Sequence, residues 1–254
     1  MSGLTELASI IQKLGEKWQP HDKQVEIGRA LFYEGAKNIF VCAARNFGKT
    51  ELAAYCGWRW ALENPGSESY IIEPFLKQAR EILWAGNRLQ KFGPEEYIES
   101  INNTELRIRF KNGSFIKLEG SDNEAALAGI KPKGLIIYDE VKDHRKSGIL
   151  NMEPNRAAFD APAIFIGSPP EFHCYYVELM DMAKKSKDWN YYHGPTSDNP
   201  HISKAWLARK KEELELMGEH ETWLRDYEGI YVVGGKRSIF PQFLKLTFAP
   251  FVVP

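Results

Sequence analysis

The chain has 254 residues, a formal net charge of −1 and 43% hydrophobic residues, which is the composition of a globular protein rather than of a disordered one. We expect one large domain, or slightly more, with a core of ordinary size. The near-neutral charge excludes a strongly basic protein that holds nucleic acid tightly, so any contact with nucleic acid is expected to be weak and transient. No apolar run is long enough to cross a bilayer and no signal pattern begins the chain, so we predict no membrane association.

Two helices are predicted ahead of the first strand. Apolar residues recur at helical spacing from Leu4 to Leu14, and a second helical segment covers 24–32. Gln24 begins that second segment, and its amide carries a donor and an acceptor that match the edge of adenine. The residues leave two interpretations open, an adenine contact by Gln24 or an exposed glutamine at a helix start.

A phosphate-binding loop is indicated between 39 and 50. The segment IFVCAARNFGKT predicts a buried strand, a short loop, and a helix that opens with Gly-Lys-Thr. In such a loop Lys49 reaches the β- and γ-phosphates, and the hydroxyl of Thr50 is a ligand for Mg²⁺. The usual pattern begins with a further glycine, and Ala43 stands at that position. The backbone amides expected to point at the phosphates are those of Ala44, Arg45, Asn46, Phe47 and Gly48.

The middle of the chain predicts a strand, a helix and a hairpin, in that order. A strand over 69–73 is followed by a proline and by a helical pattern over 76–90. Alternating residues over 106–110 and 115–118 flank an Asn-Gly pair, which is a strong hairpin signal. A loop with a short helix is expected over 121–129.

The segment GLIIYDE, at 134–140, predicts an apolar strand that ends in two carboxylates. Asp139 at such a strand end suits Mg²⁺ held opposite the threonine of a phosphate-binding loop. Glu140 is placed to orient or deprotonate an attacking water. A surface Asp-Glu pair is the alternative, and the phosphate-binding loop earlier in the chain favours the catalytic interpretation.

Ser168 follows a further apolar strand, AIFIGSPP at 163–170, so its hydroxyl is expected at the sheet edge where ligands bind in open α/β sheets. We expect 141–159 to be irregular. Later elements are predicted as a helix over 175–185, a strand over 189–193, helices over 204–217 and 221–228, and a strand over 230–233.

Strands that alternate with helices predict an α/β fold with a mostly parallel central sheet and helices on both faces. With the phosphate-binding loop, this indicates a P-loop NTPase fold of the ASCE, RecA-like type, with a β-hairpin insertion and a small C-terminal lid. The predicted organisation is an ATPase core over 1–195, a lid and linker over 196–240, and the start of a further linker over 241–254.

Taken in order, these segments resemble the ATPase domain of the large terminase subunit of tailed bacteriophages, the motor that pumps DNA into procapsids. AARNFGKT is similar to the family's deviant loop, which lacks the first glycine and carries an internal arginine, here Arg45. PHDKQ is similar to its adenine-side motif, which ends at Gln24, and IGSPP is similar to its coupling motif, which contains Ser168. The resemblance runs from about Trp18 to Phe243 and also includes IIEPFLKQAR, the NGS hairpin, EGSDN, LIIYDE, SDNPHIS and YEGIYVVGGKRSIFP.

The resemblance implies an Mg²⁺-dependent ATPase. Lys49 and the loop amides would hold the phosphates of ATP, and Arg45 would brace the γ-phosphate or Glu140. Thr50 and Asp139 would position Mg²⁺, while Glu140 would polarise the attacking water. Ser168 would report the presence of the γ-phosphate to the surface that grips DNA.

The resemblance also implies that a cation from a neighbouring subunit completes the site. Family members often carry Leu-Arg-Gly before the Asp-Glu strand, but Leu-Ala-Gly stands there in this chain. The remaining candidates for the cation are Lys131, Lys133 and Arg145.

The implied partners are double-stranded DNA, bound weakly, the portal protein, the small terminase subunit and further copies of the chain in a ring. An isolated copy could be a monomer, and the expected location is the host cytoplasm. The family carries a second, nuclease domain, which we expect to begin where this sequence ends at Pro254. We therefore expect the ATPase half alone and assign no nuclease residues.

Two other functions fit parts of the pattern. One is a helicase-type ATPase, which would need a second RecA-like domain. The other is a nucleotide-binding switch without hydrolysis, against which the intact set of Lys49, Thr50, Asp139 and Glu140 argues.

Overall fold

The structure, a computed structural model, describes residues 2–232, and within them the chain builds one mixed sheet flanked by helices. The strands are β1 Asn38–Ala43, β2 Glu68–Glu73, β3 Ile98–Asn102, β4 Arg107–Phe110, β5 Phe115–Gly120, β6 Ile136–Tyr138, β7 Ala163–Gly167 and β8 Asn190–Gly194. The helices are α1 Ser2–Lys17, α2 Asp22–Phe32, α3 Lys49–Glu63, α4 Leu76–Ala79, α5 Glu124–Ala128, α6 Lys146–Leu150, α7 Glu153–Ala158, α8 Tyr175–Lys185, α9 Lys204–Leu216 and α10 His220–Asp226.

The strands lie in the order β3-β4-β5-β2-β6-β7-β1-β8. Only β4 runs against its neighbours, because the β4–β5 hairpin turns the chain back before β5 joins β2 in parallel. The mostly parallel sheet with a hairpin insertion is therefore confirmed. Since β2, β6, β7 and β1 all run the same way, their carboxyl ends meet at one edge of the sheet.

The two faces of the sheet bury separate apolar clusters, as the alternation of side chains along a strand requires. On β1, Ile39 and Val41 pack with α1, α2 and α3, whereas Phe40 and Cys42 pack on the opposite face with α8. All four side chains are almost fully buried. This two-sided burial explains why the central strands read as continuous apolar runs in the sequence.

The predicted helix over 76–90 is wrong in its length and its form. Regular helix α4 ends at Ala79, a π-helical turn covers Arg80–Trp84, and a 3-10 turn covers Ala85–Asn87. Gly86 has φ 67° inside that last turn, a left-handed conformation that glycine adopts without steric strain and that ends the helix.

Three further expectations fail for identifiable reasons. The segment 141–159 is not irregular, because it contains the short helices α6 and α7. Strand β3 was not expected, since it is a largely exposed edge strand without a buried alternating pattern. Residues 230–232 form no strand; instead the amide of Ile230 donates to the carbonyl of Leu224 and closes the end of α10. Val233, the last residue of that predicted strand, lies outside the described residues.

The helices after the last strand have a small apolar cluster of their own. Leu207 and Leu214 of α9 bury against Trp223 of α10. This agrees with a lid after residue 195. The domain limits stay a prediction, and the segment 241–254 lies outside the described residues. No helix among the described residues is long and apolar enough to cross a membrane.

Candidate functional site

The loop between β1 and α3 lies at the carboxyl edge of the sheet. Gly48 immediately precedes α3 with φ 95°, and Asn46 has φ 58°, so the loop turns through two left-handed residues. A Cβ on Gly48 would lie 2.6 Å from Nε2 of Gln24. Both the backbone conformation and the close approach therefore require glycine at this position.

Lys49, the first residue of α3, connects the loop to the end of β7. Its Nζ donates to the carbonyl of Ala44 at 3.1 Å and to Oγ of Ser168 at 2.9 Å. The side chain is only 8% exposed. The structure thus brings together the lysine and the serine that sequence reasoning had placed in one site.

Thr50 connects the same helix to the end of β6. Its Oγ1 donates to Oδ2 of Asp139 at 3.2 Å, and the amide of Glu140 donates to Oδ1 at 2.9 Å. Burial, followed by the neighbouring Glu140 carboxylate, raises the pKa of Asp139 to about 6, against the opposing effect of Lys49. A carboxylate in this environment is stabilised when a cation binds beside it.

Glu140 and His144 lie on the far side of Asp139. Glu140 has φ 49°, and its Oε2 accepts no hydrogen bond, with Nζ of Lys142 at 3.8 Å. His144 donates from Nε2 to the backbone carbonyl of Asp139 at 2.7 Å. Burial lowers the pKa of His144 to about 4, so the ring is neutral near pH 7.

The loop amides are not equally available. The amide of Ala44 donates to the carbonyl of Gly194, and the amide of Arg45 donates to the carbonyl of Asp226, both at 2.8 Å. The expectation that all five amides point at phosphate therefore needs correction, because these two are already bonded to protein. Those of Asn46, Phe47 and Gly48 remain as the predicted phosphate donors.

Arg45 faces the lid rather than the carboxylates. Its Nε lies 3.3 Å from Oδ2 of Asp226, and its side chain is 64% exposed. The hydroxyl of Thr196 donates to the carbonyl of Arg45 at 2.7 Å, and Nδ2 of the Asn199 side chain donates to the carbonyl of Asn46 at 2.7 Å. The segment that follows β8 therefore fixes the outer half of the loop.

Gln24 holds the inner half of the loop. It is 3% exposed, its Oε1 accepts from the amide of His21 at 3.0 Å, and its Nε2 donates to the carbonyl of Gly48 at 3.1 Å. Its exposed-helix-start interpretation is wrong, because the side chain is buried. An adenine contact by Gln24 stays a prediction. A hollow of about 340 Å³ is lined by His21, Asp22, Lys23, Asp198 and Pro200.

Sequence reasoning assigned no role to Glu73, the last residue of β2. The side chain is fully buried, and neither of its carboxylate oxygens has a hydrogen-bond partner. Burial, followed by the charges of Asp139 and Glu140, raises the pKa of Glu73 to about 9. The available signal was a carboxylate at the end of an apolar strand, the same pattern that identified Asp139.

The three candidates for a cation in trans lie on the surface. Lys131 is exposed, Lys133 lies 3.4 Å from Glu68 at the amino end of β2, and the exposed Arg145 precedes α6. Lys133 is therefore at the edge of the sheet opposite the loop. Whether any of them serves a neighbouring copy stays a prediction.

The site fits a magnesium ion that is bound largely by phosphate and water. Among residues 2–232, no three histidine, cysteine, aspartate or glutamate side chains converge closely enough to hold an ion by themselves. Thr50 and Asp139 nevertheless offer two oxygens side by side, and unpartnered buried oxygens of Glu73 and Glu140 lie on the adjoining strand ends. Mg²⁺ usually keeps several waters and takes only one or two carboxylates at sites where it binds nucleotide phosphates.

No family model and no curated protein sequence matches this chain. The fold does match solved structures. The ATPase domain of the large terminase of Thermus phage P74-26 has a TM-score of 0.66 and 21% identity, with 87% of this chain and 96% of that chain covered. A variant of that domain matches with 22% identity over 87% and 97% of the two chains, at the same TM-score.

The large terminase of a second, thermophilic bacteriophage has a TM-score of 0.70 and 18% identity, with 84% of this chain and 54% of that chain covered. This chain thus spans about half the length of that terminase. Other structures of the same terminase contain ADP or ATP-gamma-S. At these identities the likeness establishes the fold, and it confirms the predicted P-loop NTPase architecture.

Proposed function

We propose that this chain is the ATP-hydrolysing motor domain of a phage terminase large subunit, which drives double-stranded DNA into procapsids. The observation that carries the proposal is the convergence of two strand ends on one lysine and one threonine. Lys49 bonds Ser168 of the β7 end, and Thr50 bonds Asp139 of the β6 end. The fold is shared with terminase ATPase domains, and one of those terminases was solved with ADP and with ATP-gamma-S.

The phosphates of ATP would lie against the start of α3. The helix is 15 residues long, and its N-terminal amides and dipole favour negative charge at this end. Lys49 would exchange its bonds to Ala44 and Ser168 for the β- and γ-phosphates. The amides of Asn46, Phe47 and Gly48 would complete the cradle.

Magnesium would be held between the Thr50 hydroxyl and the Asp139 carboxylate. When bound, it neutralises charge that develops on the phosphate oxygens. Asp139 is already oriented for this by the Thr50 hydroxyl and by the amide of Glu140. The ion would also compensate the repulsion among the buried carboxylates around Asp139.

Glu140 would orient and polarise the attacking water. Its left-handed backbone, with φ 49°, turns the chain sharply between β6 and the following 3-10 turn, and Oε2 is left without a hydrogen bond. Arg45 would have to leave Asp226 to brace the γ-phosphate. Because the Arg45 side chain is 64% exposed, that pair is weak enough to exchange when ATP binds.

Ser168 would act as the coupling residue. It is 3% exposed and accepts a hydrogen bond from Lys49. If phosphate takes the lysine, this hydroxyl loses its partner and the end of β7 gains a second state. Such a two-state element is what a hydrolysis cycle needs to move a distant surface that grips DNA.

Double-stranded DNA, the portal protein, the small terminase subunit and neighbouring copies of the chain are the proposed partners, in the host cytoplasm. A trans cation from Lys131, Lys133 or Arg145 would make hydrolysis depend on assembly, and such a group contributes about 10³–10⁵ in rate. Measuring hydrolysis against protein concentration, with and without DNA, separates a motor from a binding switch: a switch shows no turnover at any concentration.

The decisive test is Glu140→Gln. The variant should keep ATP affinity and lose steady-state hydrolysis by about 10²–10⁴-fold, because general-base assistance contributes that much. The matched control is Glu178→Gln, which removes an exposed carboxylate of α8 that pairs with Lys146 of α6. This variant should hydrolyse ATP at the normal rate. Retained turnover in Glu140→Gln would remove Glu140 from the role of base.

A further inference from the structure

Glu73 lies beside Asp139 across the sheet. In the parallel pair of β2 and β6, Ile72 is the register partner of Tyr138, and the amide of Asp139 donates to the carbonyl of Ile72 at 3.0 Å. The next residues along the two strands, Glu73 and Asp139, are therefore level with each other. Neighbouring strands lie about 4.8 Å apart, so the two carboxylates start from adjacent positions.

The two carboxylates also share a face of the sheet. Ile71 and Ile137, two residues before Glu73 and Asp139, belong to the apolar cluster that includes Leu52 of α3. Ile72 and Tyr138 belong to the cluster on the other face. Since side chains alternate along a strand, Glu73 and Asp139 both project toward the face that carries the phosphate-binding helix.

Glu73 differs from Asp139 in having no hydrogen-bond donor near its carboxylate. Asp139 accepts from the Thr50 hydroxyl and from the amide of Glu140, whereas both oxygens of the fully buried Glu73 lack a partner. Burying a carboxylate without a hydrogen bond is strongly unfavourable. A side chain of this kind at the edge of a nucleotide pocket points to a partner that arrives with the ligand.

The chemistry of the surroundings identifies that partner. The neighbouring side chains Asp139 and Glu140 are carboxylates too. The partner of Glu73 must therefore be a cation, or hydrogen-bond donors that are bound to a cation. No three acidic, histidine or cysteine side chains among residues 2–232 converge enough to share an ion directly, which argues for contact through water. Mg²⁺ retains such waters when it binds nucleotide phosphates.

We propose that Glu73 is a positioning residue for the magnesium–nucleotide complex, whose carboxylate accepts hydrogen bonds from the waters bound to the metal. This inference rests on the proposed function of the same site. It assigns to the end of β2 a third acidic side chain of the pocket, beyond the Thr50 and Asp139 pair and the base Glu140. Groups that hold the ligands of a metal typically contribute 10–100-fold to its affinity.

The test compares Glu73→Gln with Glu68→Gln in the full chain. Glu68 is at the opposite end of the same strand and pairs with Lys133, so its variant removes one carboxylate from β2 without touching the pocket. Electron paramagnetic resonance of Mn²⁺ measures the metal's affinity for the complex of protein and ATP-gamma-S. Fluorescence of a labelled ATP analogue in EDTA measures nucleotide affinity without metal.

Glu73→Gln should weaken Mn²⁺ binding to the nucleotide complex about tenfold or more, because an amide is neutral and a poorer acceptor for metal-bound water. It should leave metal-free nucleotide binding close to that of the wild type, since Glu73 is proposed to reach the nucleotide only through the waters bound to the metal. Glu68→Gln should match the wild type in both assays. Unchanged Mn²⁺ affinity in a folded Glu73→Gln variant would overturn the inference and leave the proposed function intact.

If wild-type protein binds neither nucleotide nor Mn²⁺ with nucleotide, the proposed function itself fails. Should Glu73→Gln fold poorly by circular dichroism, Glu73→Asp keeps the charge and shortens the side chain by one methylene. Because the shorter side chain of Glu73→Asp withdraws the carboxylate from the metal's waters, Mn²⁺ binding should still weaken severalfold. Wild-type Mn²⁺ affinity in Glu73→Asp would likewise overturn the role.

Discussion

The two sides of the candidate pocket satisfy their polar groups in different ways. On one side, the loop wall, formed by Arg45, Lys49 and Thr50, each side chain bonds an oxygen of another element. On the other, the carboxylate wall, formed by Glu73, Glu140 and His144, buried oxygens of the two glutamates and Nδ1 of the histidine have no hydrogen-bond partner.

The difference teaches which half of the pocket the protein completes by itself. Hydrogen bonds within the chain preorganise the loop wall, so phosphate would replace bonds that already exist. The carboxylate wall holds buried polar atoms whose partners the chain does not supply, and such atoms are destabilising until a ligand provides those partners. Nucleotide with its metal is therefore expected to stabilise this wall more than the loop wall.

The largest expected effect comes from breaking the loop wall at Lys49. Lys49→Ala should lower ATP hydrolysis about 10³-fold, the upper range for removing one group that stabilises charge in a transition state. Steady-state kinetics measures it, and Lys13→Ala, which removes an exposed lysine paired with Glu96, should be neutral. A Lys49→Ala variant with near-normal turnover would show that phosphate does not bind at the start of α3.

A smaller effect tests the carboxylate wall through His144. Its folded pKa of about 4 lies below the ordinary value, so between about pH 6.5 and pH 4 the unfolded chain takes up a proton that the folded chain does not. This contribution to stability is fully present above pH 6.5 and is lost as pH falls, by about 3 kcal/mol near pH 4.

His144→Gln keeps a donor for the carbonyl of Asp139 and removes the titration. Urea denaturation of both proteins between pH 7.5 and pH 4.5 isolates the difference, because any opposing titration of Glu73 is common to both. The wild type should lose more stability than the variant as pH falls. Parallel pH profiles would show that the ring does not resist protonation in the folded protein.

The smallest effect is expected at the rim of the loop wall. Asp226→Asn removes the charge that faces Arg45 and also Arg225, but leaves the backbone bond from the amide of Arg45. Because the side chain of Arg45 is mostly exposed, the free energy of unfolding should change by less than about 1 kcal/mol. Urea denaturation checks this, and a loss above about 2 kcal/mol would mean that the pair fixes the loop.

Local sequence was a good guide where a residue's environment follows from its neighbours in the chain. The run IFVCA, the glycine before Lys49 and the strand that ends at Asp139 each carried their own signal, and the structure has a strand, a loop and a helix start at these places. The helix over 76–90 failed because regular α-helix stops at Ala79, and Gly86 in a left-handed conformation prevents the later turns from continuing it. Strand β3 was missed because an exposed edge strand lacks the alternation of a buried one.

The sequence by itself determined the loop before Lys49, the Asp-Glu strand end and the serine after β7, because strand–loop–helix turns and apolar runs are encoded over a few consecutive residues. Only the tertiary structure decided which strand ends are neighbours. It set Glu73 level with Asp139 and tied the amides of Ala44 and Arg45 to the carbonyls of Gly194, at the end of β8, and Asp226. Strand order and register depend on packing between distant segments, so no local pattern states them.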